Sequence, residues 1–200
     1  WCGRALDRLV DLCARAPAAA APATFARERE AIRRAIERDG VSERLGCYVS
    51  VFGSEGVDAS LLLLSVMGYA DPRSERMRRT VARVRERLEV NGVVYRYRDD
   101  DDGLEGGEAA FGICSFWAVE ARALQGDEGA REQFERLLRH ANDVGLYAEE
   151  IDAASGAAIG NFPQAFTHVG LINAAVALSR SECQATSLRT TASPDGRNTS

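Results

Sequence analysis

Two kinds of helical pattern alternate along this chain, and that alternation constrains the fold more than any single motif. Residues 58–68 (DASLLLLSVMG), 109–123 (AAFGICSFWAVEARA) and 162–178 (FPQAFTHVGLINAAVAL) are apolar nearly all round, as helices hidden from water on every side should be. Between them lie charged segments that carry one apolar stripe at helical spacing. The stripe is Met77, Val81, Val84 and Leu88 in 74–88, Phe134, Leu137, Leu138 and Ala141 in 127–141, and includes Ile32 and Ile36 in 26–38. Buried helix followed by half-wetted helix is what a double-layered ring of helices writes into sequence. An ordinary bundle does not alternate so regularly. Gly3 to Ala14 reads as a further inner helix, so inner and outer elements together number about seven, a little over half of a closed ring.

Local signals punctuate this pattern. Ser74 follows Pro72 and reads as an N-cap, and Gly145 reads as a helix stop after Asn142. The strand-like piece is GVVYRY at 92–97, expected as a short ribbon in a loop. From Ser181 onward apolar periodicity is lost, which divides the chain into a helical domain, 1–180, and a flexible tail, 181–200. Three long connections, 39–57, 89–108 and 142–161, each precede an apolar helix. Loops of this length inside a compact domain are usually functional. Alternation predicts that all three lie at one end of the ring, with Asp58, Glu108 and Glu149 on the same rim.

Composition removes several classes of function. With 200 residues and 46% hydrophobic content the chain supports one core and is not disordered. Its 25 basic and 30 acidic residues give a formal net charge of -5, and no Lys/Arg cluster interleaved with aromatics marks a nucleic-acid face. No run approaches the roughly 18 apolar residues of a membrane span, and no charged n-region precedes an apolar h-region. The five cysteines, Cys2, Cys13, Cys47, Cys114 and Cys183, lack C-x-x-C spacing and read as free buried thiols of a cytoplasmic protein. The chain opens at Trp1 inside a helical pattern, so it is expected to be a fragment of a longer protein.

Two adjacent carboxylates, Glu149 and Glu150, stand in the loop before the last apolar helix. Spacing alone leaves them as solvated loop glutamates. Hydrolysis of a glycosidic bond, however, needs an acid to protonate the leaving oxygen. In inverting enzymes it also needs a second carboxylate, about 6.5–9.5 Å away, to activate water. The segments AEEID (148–152) and GNFPQAFTH (160–168), together with DGLEGGEAAFGICSFW (102–117) and VFGSEGVDASLLLLSVMGYADPRSERMRRTV (51–81), resemble glycoside hydrolase family 15, the family of glucoamylases and some bacterial trehalases. The resemblance covers about residues 1–178, with Ala109 standing where the family usually has glycine.

That resemblance implies an all-α (α/α)6 barrel, a six-hairpin toroid present here as a partial barrel of alternating inner and outer helices. It implies inverting hydrolysis of α-glucosidic bonds in trehalose or an α-glucan oligosaccharide, with no cofactor and no metal. Glu149 matches the general base and Glu150 its neighbour. Glu108, Phe111 and Trp117 match positions that face sugar, although Phe111 and Trp117 at helical spacing also read as core, and Glu108 as a favourable charge at a helix start. Asp58 reads equally as an N-cap and as a substrate contact. Arg96 and Arg98 either grip hydroxyls or pair with nearby aspartates, and His168 supports the base loop by hydrogen bonding. The family's catalytic acid lies upstream of the matching segment, so no residue here takes that role.

Rival readings have their own signals. DDDDG at 99–103 fails as a calcium loop, because Arg98 and Ala109 fall at its first and twelfth positions. His140 reads as a surface residue. A non-catalytic helical module that binds carbohydrate or protein would need a self-similar repeat, which is absent. An α/α-barrel phosphorylase would need a basic rim, for which Arg96 and Arg98 alone are thin support.

Overall fold

A computed structural model describes residues 2–15, 22–98 and 109–191. Seven α-helices dominate the described residues. The chain divides into two compact units, Trp1–Arg87 and Leu88–Ser200.

In the first unit, α1 (Cys2–Arg15) packs on α2 (Pro22–Asp39). A two-residue antiparallel ribbon follows, β1 (Val41–Ser42) against β2 (Cys47–Tyr48). The apolar segment DASLLLLSVMG forms less helix than its pattern predicts. It runs as a 3-10 turn, Ala59–Leu62, and a single α-turn, α3 (Leu63–Val66). Asp58 caps it by accepting from the Ser60 N–H at 2.6 Å. The unit closes with α4 (Glu75–Leu88), where Met77, Val81, Val84 and Leu88 are all buried as the stripe predicts. Ser74 caps α4, its Oγ accepting from the Met77 N–H at 3.3 Å. Glu37 on α2 gathers the unit: its Oε1 accepts from the hydroxyls of Tyr48 and Tyr69, both at 3.0 Å, and its Oε2 from Arg76 at 2.5 Å. Thr80 accepts from the Tyr48 N–H at 3.0 Å, which pins the ribbon to α4.

The second unit opens with a tight hairpin, β3 (Glu89–Val90) and β4 (Val93–Val94). Asn91 and Gly92 turn it with positive φ of 52° and 88°, the conformation that Asn-Gly supplies most readily. Next come β5 (Ala110–Phe111), α5 (Gly112–Gln125), α6 (Gly129–Leu138), β6 (Glu150–Ile151), β7 (Ala158–Ile159) and α7 (Ala165–Thr191). Strands β5, β6 and β7 form one small antiparallel sheet. Its core holds Phe116, Val119, Leu137, Tyr147, Ile151 and Ala174, so α5, α6, α7 and the sheet share one interior. Arg122 is buried at the end of α5, donating to Asp127 and to the Gln133 Oε1, both at 2.7 Å. Gln133 in turn donates to the Gly92 carbonyl at 3.3 Å, tying α6 to the first hairpin.

Several expectations need correction. Leu138 is exposed at the end of α6, where Leu137 rather than Leu138 takes the core position. Gly145 does not stop that helix. It sits at positive φ in a separate turn, where the Asn142 side chain accepts from the Val144 and Leu146 N–H groups. Residues 181–191 continue α7 rather than forming a tail, since they hold no Gly or Pro to end a helix already nucleated. Glu182 there pairs with Arg131 of α6. Of the five cysteines, none in a disulfide, Cys13, Cys47 and Cys114 are buried, but Cys2 and Cys183 are exposed. No helix among the described residues is long and apolar enough to cross a membrane.

Candidate active site

Glu149 stands where three elements of the second unit converge, and its backbone is fixed from both sides. The N–H of Gly112, first residue of α5, donates to the Glu149 carbonyl at 2.9 Å. Thr167 of α7, itself buried, donates its hydroxyl to the Ala148 carbonyl at 2.9 Å. One residue earlier, the Tyr147 carbonyl accepts from Gln164 at 2.9 Å, and the Tyr147 N–H donates to His168 Nε2 at 3.3 Å. His168 Nδ1 lies 2.7 Å from the Gln164 carbonyl, so that nitrogen carries the proton and Nε2 accepts. The imidazole also meets the Tyr147 ring edge-on at 5.5 Å. His168 thus braces the segment that leads into Glu149.

Glycine makes the convergence possible. A Cβ on Gly112 would lie 2.6 Å from Thr167 Cγ2, closer than real side chains approach. The same holds more mildly between α5 and α7 at Gly170, where an added Cβ would lie 3.1 Å from Phe116 Cβ. Helix α5 therefore begins against the Glu149 segment with no room for a side chain.

The carboxylate of Glu149 is half-buried and held on one edge. Its Oε2 accepts from the Asn161 main-chain N–H at 3.1 Å and from the Asn161 amide at 2.7 Å. Its Oε1 accepts no hydrogen bond among the described residues. Chemically this is an oriented carboxylate with one oxygen open to accept a proton. Glu150 lies beside it on β6, paired with Phe111 on one side and Ile159 on the other. Phe111 and Trp117 are both half-buried, Phe111 on β5 and Trp117 on α5. Phe116, their neighbour, is the core aromatic, meeting Phe134 and Tyr147 edge-on.

The hairpin that follows Glu149 is closed by Asp152. Its carboxylate accepts from the Ala154 N–H at 2.8 Å and the Ser155 hydroxyl at 2.9 Å, and these bonds hold it below the usual carboxylate range. Burial pushes the Tyr147 hydroxyl up.

The other expected site residues belong to other parts of the chain. Glu108 and the aspartates at 99–102 lie outside the described residues. Arg98 stacks its guanidinium over Tyr95 at 5.0 Å from the ring centre, and Arg96 stands two residues before it. Asp58 belongs to the first unit, where its carboxylate serves the helix cap. Among the described residues no cluster of three or more His, Cys, Asp or Glu side chains could hold a metal ion. The residue that sequence reasoning passed over is Asn161, which stands inside the GNFPQAFTH segment.

A family model described as glycosyl hydrolases family 15 matches residues 2–132 and 124–176. The chain belongs to that family. It is similar to a trehalase of Mycobacterium tuberculosis, 43% identical over 193 residues that cover 93% of this chain and 28% of that protein. A trehalase of Thermoplasma volcanium is 36% identical over 160 residues, covering 80% of this chain and 26% of that protein. The chain thus spans about a quarter of the length of the curated relatives it matches. Among solved structures, a wild-type glycosidase superimposes with a TM-score of 0.72 at 24% identity, over 85% of this chain and 48% of that one. Another glycosidase, solved in complex with glucose, gives 0.71 at 23% identity. These likenesses establish the fold, that of a partial (α/α)6 barrel.

Proposed function

We propose that the protein containing this chain hydrolyses α,α-trehalose with inversion, and that Glu149 is its general base. The observation that carries the reading is the fixed, one-edged Glu149 carboxylate in a chain of glycosyl hydrolases family 15. Trehalose is favoured over maltooligosaccharides because the named relatives are trehalases. Residues 1–180 form the C-terminal part of the catalytic domain, and the acid comes from outside it. A cytoplasmic location fits five cysteines that form no disulfide with one another.

The proposed reaction is a single inverting displacement at the anomeric carbon. A water resting on Glu149 Oε1 attacks the anomeric carbon, and its proton passes to that oxygen. The C1–O bond breaks on the opposite face, and the acid protonates the leaving oxygen. Attack inverts one sugar and leaves the other untouched, so each trehalose yields one β-glucose and one α-glucose. General base catalysis contributes roughly 10²–10⁴-fold to such a step.

The test is glucose release from trehalose and from maltotriose by the full-length protein beside Glu149→Gln. Turnover of trehalose should fall at least about 10²-fold in the variant, and proton NMR should find the two anomers in equal amounts at early times. Activity that survives the substitution removes Glu149 from the mechanism. Cleavage of maltotriose alone replaces the substrate, and α-glucose as sole first product refutes inversion.

A further inference from the structure

We propose that Asn161 is the positioning residue of the base: it anchors Glu149 Oε2 and thereby presents Oε1, and Oε1 alone, to the attacking water. The inference rests on the reading of Glu149 as base and goes beyond it by assigning the two carboxylate oxygens different roles.

Three bonds join the two residues. The Glu149 N–H donates to the Asn161 carbonyl at 2.9 Å, and Asn161 returns its own N–H and its side-chain amide to Oε2 at 3.1 and 2.7 Å. A glutamate on a loop would otherwise sample several rotamers about three side-chain bonds. Two donors from one residue, one of them rigid backbone, fix both the position of Oε2 and the plane of the carboxylate. Because Asn161 offers donors only to that edge, the other oxygen keeps its lone pairs for a proton.

The backbone is shaped to allow this. In the β6–β7 ladder Glu150 faces Ile159, so simple continuation would set Glu149 against Gly160. Instead Glu149 bonds to Asn161, and Gly160 sits in the left-handed region at φ 75° as an extra residue. A glycine in that conformation, with two residues opposing one, is a β-bulge, a device that turns the following side chain. Here the side chain turned is the Asn161 amide. A Cβ on Gly160 would lie 3.1 Å from Glu149 Oε2 and 3.2 Å from its Cβ, so the bulge also needs the missing side chain to let the carboxylate lie flat. Among the described residues nothing in the packing of the unit requires the amide, since Asn161 is exposed and its side chain bonds there to Glu149 alone.

The full-length protein carrying Asn161→Asp tests this, because the change keeps shape and main chain but replaces a donor by an acceptor facing the base. Trehalose turnover by this variant should fall about 10²-fold, the scale of a misplaced catalytic group, while KM stays within about threefold. Asn161→Ser, which keeps a short polar group, should lose less in kcat, again without KM. Thermal melting is measured alongside, and where the aspartate unfolds the hairpin the serine variant carries the comparison. A kcat near the parent's in both variants, or a loss confined to KM, overturns the proposal. Glu149→Gln separates the two readings: an inactive Glu149→Gln beside a fully active Asn161→Asp sinks the anchor alone, whereas an active Glu149→Gln sinks the base and the anchor together.

Discussion

A methyl group on Gly112 would have to share space with the Thr167 side chain, whose Cγ2 would lie 2.6 Å away and whose Oγ1 3.0 Å away. Thr167 cannot move aside cheaply, because it is buried and its hydroxyl satisfies the Ala148 carbonyl. Gly112→Ala should therefore push α5 away from α7 and lower stability by about 1–3 kcal/mol, the usual range for overpacking. It should also reduce turnover, since the Gly112 N–H holds the Glu149 carbonyl. Denaturant midpoints and kcat of the full-length variant check both, and a destabilised protein with parental kcat would show that turnover does not depend on this contact to Glu149. At this scale the sequence was readable where chemistry is local. Asp58 and Ser74 cap their helices as residue type dictates, and His168 braces the loop that its place in GNFPQAFTH pointed to. Asn161 was not readable, because its role depends on a register shift of one residue that periodicity does not record.

Elements tell a different story. The amphipathic helices were legible because a stripe of four apolar residues over fourteen positions, as in α4, has no competing explanation. The strands were not, because each is two residues long and shows no alternation. The piece expected as a ribbon at 92–97 contributes β4 through Val93 and Val94 alone, whereas the β6–β7 hairpin carried no such signal. Its tip is instead built by Asp152, whose carboxylate takes the Ala154 N–H and the Ser155 hydroxyl. Those bonds require the ionised form. The carboxyl is depressed in the folded protein, so its contribution is present above the unfolded-state value and is lost as pH falls through the folded one. The Ala154 and Ser155 amide resonances should accordingly shift in one transition below the usual carboxylate range, and Asp152→Asn should abolish it. A transition that persists in the variant would assign the titration to another group.

On the scale of the whole molecule, the last helix decides how this chain behaves in water. Helix α7 buries Thr167, Gly170, Ala174, Ala177 and Leu178, yet leaves Phe166, Val169, Ile172 and Val176 exposed. Phe162 just before it is exposed as well. Those positions recur every three or four residues, so they form a continuous apolar stripe along one side. The apolar-all-round pattern of 162–178 foretold a helix meant to be covered on every face, and among the described residues the face of Phe166, Val169, Ile172 and Val176 is exposed. Contiguous apolar patches of more than a few hundred Å² are rare on monomeric soluble proteins and drive association. A polypeptide of these 200 residues should therefore run as oligomers in sedimentation velocity and bind a hydrophobic dye. The double variant Val169→Glu/Ile172→Glu should restore the monomer and lose the dye signal without unfolding the second unit, because neither side chain belongs to its core. The same double change in a full-length protein, about three times as long as this chain if it matches its relatives, should instead destabilise the fold by several kcal/mol, since each glutamate would be buried unpaired. A monomeric 200-residue chain that binds no dye would show that the stripe is covered from within. A full-length double variant as stable as its parent would show that the stripe faces water in the complete protein too.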